Sequence, residues 1–124
     1  MQVTGVLRAP GFLLNDAEVM RKWMLLLAAE IGMTIVNGPT IHSFKEPGSS
    51  GSGLSGFSII AESHIAFHTW PEQEWCYGAI VSCKDFDLPK ALAITSDLLV
   101  GIWAWQEVSY QEIGPGLTKA PVPS

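Results

Sequence analysis

Phe57-Ser58-Ile59-Ile60-Ala61-Glu62-Ser63-His64-Ile65-Ala66-Phe67-His68-Thr69-Trp70-Pro71-Glu72 holds two apolar, β-favouring runs broken by a single polar pair. Phe57 to Ala61 and His64 to Trp70 read as strands, with Glu62-Ser63 as the turn between them. Pro71-Glu72-Gln73-Glu74 then turns the chain into a third strand, Cys76 to Cys83. Links this short join antiparallel neighbours, because a parallel partner needs a crossover of a dozen or more residues. The stretch therefore decides for a sheet built from hairpins.

Outward from it, Thr34-Ile35-Val36 and Thr40 to Phe44 form a β-branched segment interrupted by Asn37-Gly38-Pro39. Pro47-Gly48-Ser49-Ser50-Gly51-Ser52-Gly53 is a low-complexity hinge, and Gly114 to Ser124 a Pro-rich tail. Met1 to Arg8 and Trp103 to Val108 read as a first and a last strand, with Pro10-Gly11 breaking the first. Val19, Trp23, Leu26, Leu27 and Ile31 recur at helical spacing, with Asn15 and Glu18 as a capping pair and Gly32 as the stop. Asp87 caps a second helix that carries Pro89 in its first turn and runs to about Leu99, ending near Gly101. The order β-α-β-β-β-β-α-β predicts a single α+β domain over residues 1–124, an antiparallel sheet with both helices on one face.

Composition narrows the function. The chain has 124 residues, 48% apolar and 15% charged, which favours a sizeable core and, with five Trp, apolar surface covered by a partner subunit. Net charge is −5 and the seven Lys and Arg are scattered, so nucleic acid is not an expected partner. No secretory leader or membrane span is expected either: the longest apolar stretch, around Trp23 to Ala29, is far too short. Cys76 and Cys83 on one strand would face opposite sides about 23 Å apart, beyond disulfide reach, so free thiols and a cytoplasmic setting are expected. His42, His64, His68, Cys76 and Cys83 do not make a metal-ligand spacing. Trp70, Trp75, Trp103 and Trp105 could face a cationic group, but core or interface packing is the plainer use.

The chemical interest lies at Glu62-Ser63. A serine hydroxyl can attack the carbonyl of the residue before it and turn the peptide into an ester, provided something polarises that carbonyl. A base can then remove the serine α-proton, the Glu62 carboxylate leaves, and loss of ammonia to water yields a ketone, a pyruvoyl group. His68, His64 and Ser55 are the available helpers, and a thiol such as Cys83 could donate a proton later. Residue types alone leave a structural reading open, since Ser-His pairs arise by chance.

Gly53-Leu54-Ser55-Gly56, Glu62-Ser63-His64, His68-Thr69-Trp70-Pro71-Glu72 and Cys83 together resemble the small prokaryotic S-adenosylmethionine decarboxylases. The resemblance is dense over residues 53 to 92 and elsewhere rests on element order. It implies a proenzyme cut into residues 1–62 and 63–124, with Ser63 becoming a covalent pyruvoyl cofactor that takes the substrate amine as a Schiff base. It implies further that Ser55 and His68 assist processing, His68 as base, and that Cys83 is the proton donor. Glu72 would bind the substrate ribose, Phe44 would stack on adenine, and His64 would lie among the substrate-binding residues. The implied fold is an antiparallel sheet of about four main strands backed by two helices. Cleaved protomers would pair into homodimers with shared active sites, and the product would feed polyamine (spermidine) synthesis. The family's Gly-x-His on the first strand, with an acid shortly after, is missing: here stand Gly5-Val6-Leu7 and Arg8-Ala9-Pro10. Another amino acid substrate, ornithine or arginine, and a non-catalytic regulatory paralogue are the alternatives.

Overall fold

The computed structural model describes residues 2–45, 52–61 and 63–108, those of 103–108 by backbone alone. Glu62, most of the Gly/Ser hinge, the side chains of Trp103 and Trp105, and the Pro-rich tail lie outside the described residues. Six strands form one antiparallel sheet: β1 (Gln2–Arg8), β2 (Ile35–Lys45), β3 (Ser52–Ile60), β4 (Ser63–Trp70), β5 (Trp75–Val81) and β6 (Ile102–Val108). Their spatial order is β2-β3-β4-β5-β1-β6, so the sheet is wider than the four main strands the resemblance implies. The expected α+β class holds.

Alternation of side chains along each strand fixes which face meets the helices. Ile65, Phe67 and Thr69 of β4, Leu54, Ser58 and Ile60 of β3, and Cys76 and Ile80 of β5 are all buried. They meet α2 (Ala17–Glu30) and α3 (Leu88–Leu99) in one core, where Trp23 packs edge-on against Phe67 at 5.9 Å. The Trp23 indole N–H donates to Thr95 Oγ1 at 3.0 Å, and that hydroxyl donates to the Ala91 carbonyl, so the buried polar atoms joining the two helices are paired. On the opposite face no helix lies among the described residues, and Phe57, Ile59 and Tyr77 are partly exposed there.

Local chemistry sets the boundaries, in places not where expected. Asp16, one residue past Asn15, caps α2: its carboxylate accepts from the N–H groups of Glu18 and Val19 at 3.0 and 3.3 Å. The cap moves because Pro10 starts a short helix, α1 (Gly11–Leu14), which Asn15 closes. Gly32 does end α2: at φ +75°, it lets Met33 N–H reach the Ala28 carbonyl at 2.8 Å while its own N–H bonds Ala29. Asp87 caps α3 as expected. Asn37-Gly38-Pro39 shifts the β2 register without ending the strand. β3 starts five residues before Phe57, because Leu54 N–H donates to Thr69 Oγ1 at 2.8 Å and Gly56 lies beneath the Phe67 ring. A Cβ at Gly56 would run into that ring. The two motifs thus interlock across neighbouring strands.

Candidate functional site

Two pairs of the expected site residues come together, at opposite ends of β4. Ser63 opens the strand, and its Oγ accepts the backbone N–H of Cys83 at 3.2 Å, a contact between residues 20 apart in sequence. Cys83 lies just past the end of β5, which stops at Val81, so the strand expected to run from Cys76 to Cys83 does not carry it. Neither cysteine is in a disulfide: Cys83 is exposed and Cys76 buried. Loss of solvation pushes the Cys76 thiol up to about 12, so it stays protonated and inert near neutral pH.

Around Ser63 a pocket of about 100 Å³ is lined by Ala61, Ser63, Ser82 and Lys84, and by the Gly32-Met33-Thr34 turn that follows α2. Ser82 is buried, and its Oγ accepts the Lys84 N–H at 3.0 Å, which turns the chain sharply after β5. Neither Ser82 nor Lys84 has a motif that would have marked it. Their place follows from the register that sets β4 against β5.

The second pair is Ser55 and His68, which face each other across β3 and β4 with Oγ and Nδ1 2.8 Å apart. A hydroxyl and an imidazole at this distance can pass a proton either way. The same cross-strand row carries His42 and Tyr77, and the Tyr77 ring stacks over His68 at 6.5 Å. A pocket of about 350 Å³ opens here, lined by Thr40, His42, Ser55, Phe57, Ala66 and His68 along with Gly56. Phe44 belongs to the same end: its ring packs against Gly53, and it is 37% exposed, enough to offer a face. Glu72 lies exposed on the 3₁₀ turn Pro71–Gln73 that follows β4. Trp70 and Trp75, both half-buried, stack on each other at 4.1 Å. His64 does not line this pocket but stacks at 5.4 Å on Phe57, which does.

The two ends do not meet within one protomer. His68 lies five residues beyond Ser63 along β4, about 17 Å at ~3.3 Å per residue, and odd spacing puts their side chains on opposite faces. The first strand adds to the Ser55–His68 end. Leu7, at the place of the missing histidine, is buried in the core, and Arg8 donates to the Gln73 carbonyl at 3.3 Å. Among the described residues no group of three or more His, Cys, Asp or Glu could hold a metal ion, and no helix is long and apolar enough to cross a membrane.

Comparison with known proteins places the chain in a family. A family model described as S-adenosylmethionine decarboxylase matches residues 5–113. The S-adenosylmethionine decarboxylase proenzyme of Parasynechococcus marenigrum is 37% identical over 87 residues, covering 69% of this chain and 63% of that protein. The proenzyme of the same name from Thermosipho melanesiensis is 33% identical over 107 residues, covering 82% of this chain and 78% of its own. Against the first of these relatives the chain thus spans a little under two thirds of the relative's length. The crystal structure of the adenosylmethionine decarboxylase from Aquifex aeolicus superposes with a TM-score of 0.63 at 18% identity, over 90% of this chain and 91% of that one, a likeness of fold.

Proposed function

This chain belongs to the S-adenosylmethionine decarboxylase family, and from that premise we propose that it is a self-processing proenzyme whose cleaved form decarboxylates S-adenosylmethionine for polyamine synthesis. The observation that carries the reading is the hydrogen bond from Cys83 N–H to Ser63 Oγ. It orients the one hydroxyl that must attack and brings the thiol-bearing residue beside it.

Processing then follows from the chain's own atoms. Ser63 Oγ attacks the carbonyl carbon of residue 62, the C–N bond breaks, and the nitrogen takes up the hydroxyl proton, leaving an ester. A base removes the Ser63 α-proton, the Cβ–Oγ bond breaks, and the Glu62 carboxylate departs with the electron pair. Water then replaces the nitrogen, which leaves as ammonia. Overall one water enters and one ammonia leaves. The Ser63 site fits the pyruvoyl group so formed, because its pocket admits water-sized reactants (roughly 30 Å³ each) and its side chain is held from the backbone. That group supplies a carbonyl able to accept the electron pair left when a neighbouring carboxylate departs as carbon dioxide.

His68, with Ser55 bonded to it, serves as the processing base, Cys83 returns a proton to the substrate carbon, Glu72 takes the ribose hydroxyls, and Phe44 offers its ring to adenine. His64 borders the substrate. The processing pair, Phe44 and Glu72 gather at one end of β4, while Ser63 and Cys83 lie at the other. A two-fold pair of protomers resolves this separation by setting each end against the opposite end of its partner. The partly exposed Phe57, Ile59 and Tyr77 give such a homodimer an apolar face to bury. Free thiols suit a reducing cytoplasm.

Carbon dioxide release from carboxyl-labelled S-adenosylmethionine, ornithine and arginine tests the reading. Release from the first alone is expected, and Ser63→Ala should abolish it. Release from either of the others instead would overturn the substrate, and release from none would overturn the enzyme.

A further inference from the structure

We infer that Lys84 is a catalytic residue of self-processing, the cation that receives the carboxylate expelled from residue 62. The inference rests on the self-cleavage reading above and assigns a residue to the carboxylate that leaves in it. In the ester, carbonyl carbon 62 is bound to Ser63 Oγ, so the carboxylate released by breaking the Cβ–Oγ bond forms beside Ser63. The pocket is lined by Ala61 and Ser63, the sequence neighbours of residue 62, and by Ser82 and Lys84. Among its described lining residues Lys84 is the single charged one. Its backbone is fixed there by the bond from its N–H to the buried Ser82 Oγ, while the preceding N–H holds the Ser63 hydroxyl. Three residues on in sequence, the Asp87 carboxylate is engaged at the start of α3, accepting the Lys90 N–H at 3.2 Å.

The elimination needs such a group. When the Ser63 α-proton goes to a base, the Cβ–Oγ electron pair passes to the departing carboxylate, which turns from a neutral ester into an anion. An ammonium poised at that point stabilises the charge as it develops and adds little to the uncharged peptide before it. The same cation then holds the new C-terminus of the first chain against the head of the second.

The experiment follows conversion of freshly purified full-length chain by intact mass over time, at low and high salt, for wild type, Lys84→Gln and Lys84→Arg. Lys84→Gln is expected to slow conversion on the order of tenfold, less than loss of a buried oxyanion donor because the site is open to water. Lys84→Arg should restore most of the rate. Salt should slow the wild type and leave Lys84→Gln unmoved, a response that mere support of the loop would not give. Ester should accumulate in Lys84→Gln, seen as chain cut by hydroxylamine. Equal rates for wild type and Lys84→Gln, with melting temperatures unchanged, would overturn the role of Lys84 alone. A wild type that never converts would overturn the self-cleavage reading, and this inference with it.

Discussion

At the scale of single residues, the two thiols differ in a way that a reagent can read. Cys76 lies in the core with its thiol pushed up to about 12, whereas Cys83 is exposed beside Ser63. Brief iodoacetamide treatment of the native protein at pH 8 should add one label, on Cys83, and a second only after denaturation, as peptide mass spectrometry would show. Equal labelling of both in the folded protein would contradict the packing around β5. Ser63 could be singled out because it sits in a distinctive run, and Cys83 as a thiol that the family resemblance marks. Lys84 could not: its place at Ser63 comes from a turn tied to Ser82, and no spacing in the sequence records that contact.

At the scale of elements, the hairpin from β3 to β4 shows what patterning reveals and what it hides. Strand type and pairing were legible, because β-branched and aromatic runs with two-residue breaks leave few other folds. The start of β3 was not, since Ser52, Gly53 and Gly56 have low strand propensity and are kept in the sheet by neighbours: Thr69 holds Leu54, and Phe67 covers Gly56. Likewise the α2 cap is one residue off because α1, too short to leave a periodic pattern, uses Asn15. Gly56→Ala should therefore destabilise the fold by about 1–3 kcal/mol through overpacking against Phe67, measured as a lowered urea midpoint. Adding Phe67→Leu should recover part of the loss. A Gly56→Ala midpoint equal to wild type would mean that Phe67 yields freely.

At the scale of the whole molecule, Ser63 and the Ser55–His68 pair lie at opposite ends of β4, and on the proposed function this makes processing an event between subunits. This division could not be read from the sequence, where five residues look close; only the extended rise and alternating faces of β4 make them distant. Ser63→Ala chains and His68→Ala chains should each stay whole alone, yet when co-expressed the His68→Ala chains should be cut, using the imidazole of the other copy. Cutting of neither in the mixture, with dimers present on a sizing column, would return processing to a single protomer. Beneath all of this lies the fate of one peptide bond. Intact mass of the freshly purified protein should resolve into two chains, one ending at residue 62 and one beginning at residue 63 with a carbonyl where the amino group stood. A single full-length mass that persists under native conditions would contradict the account.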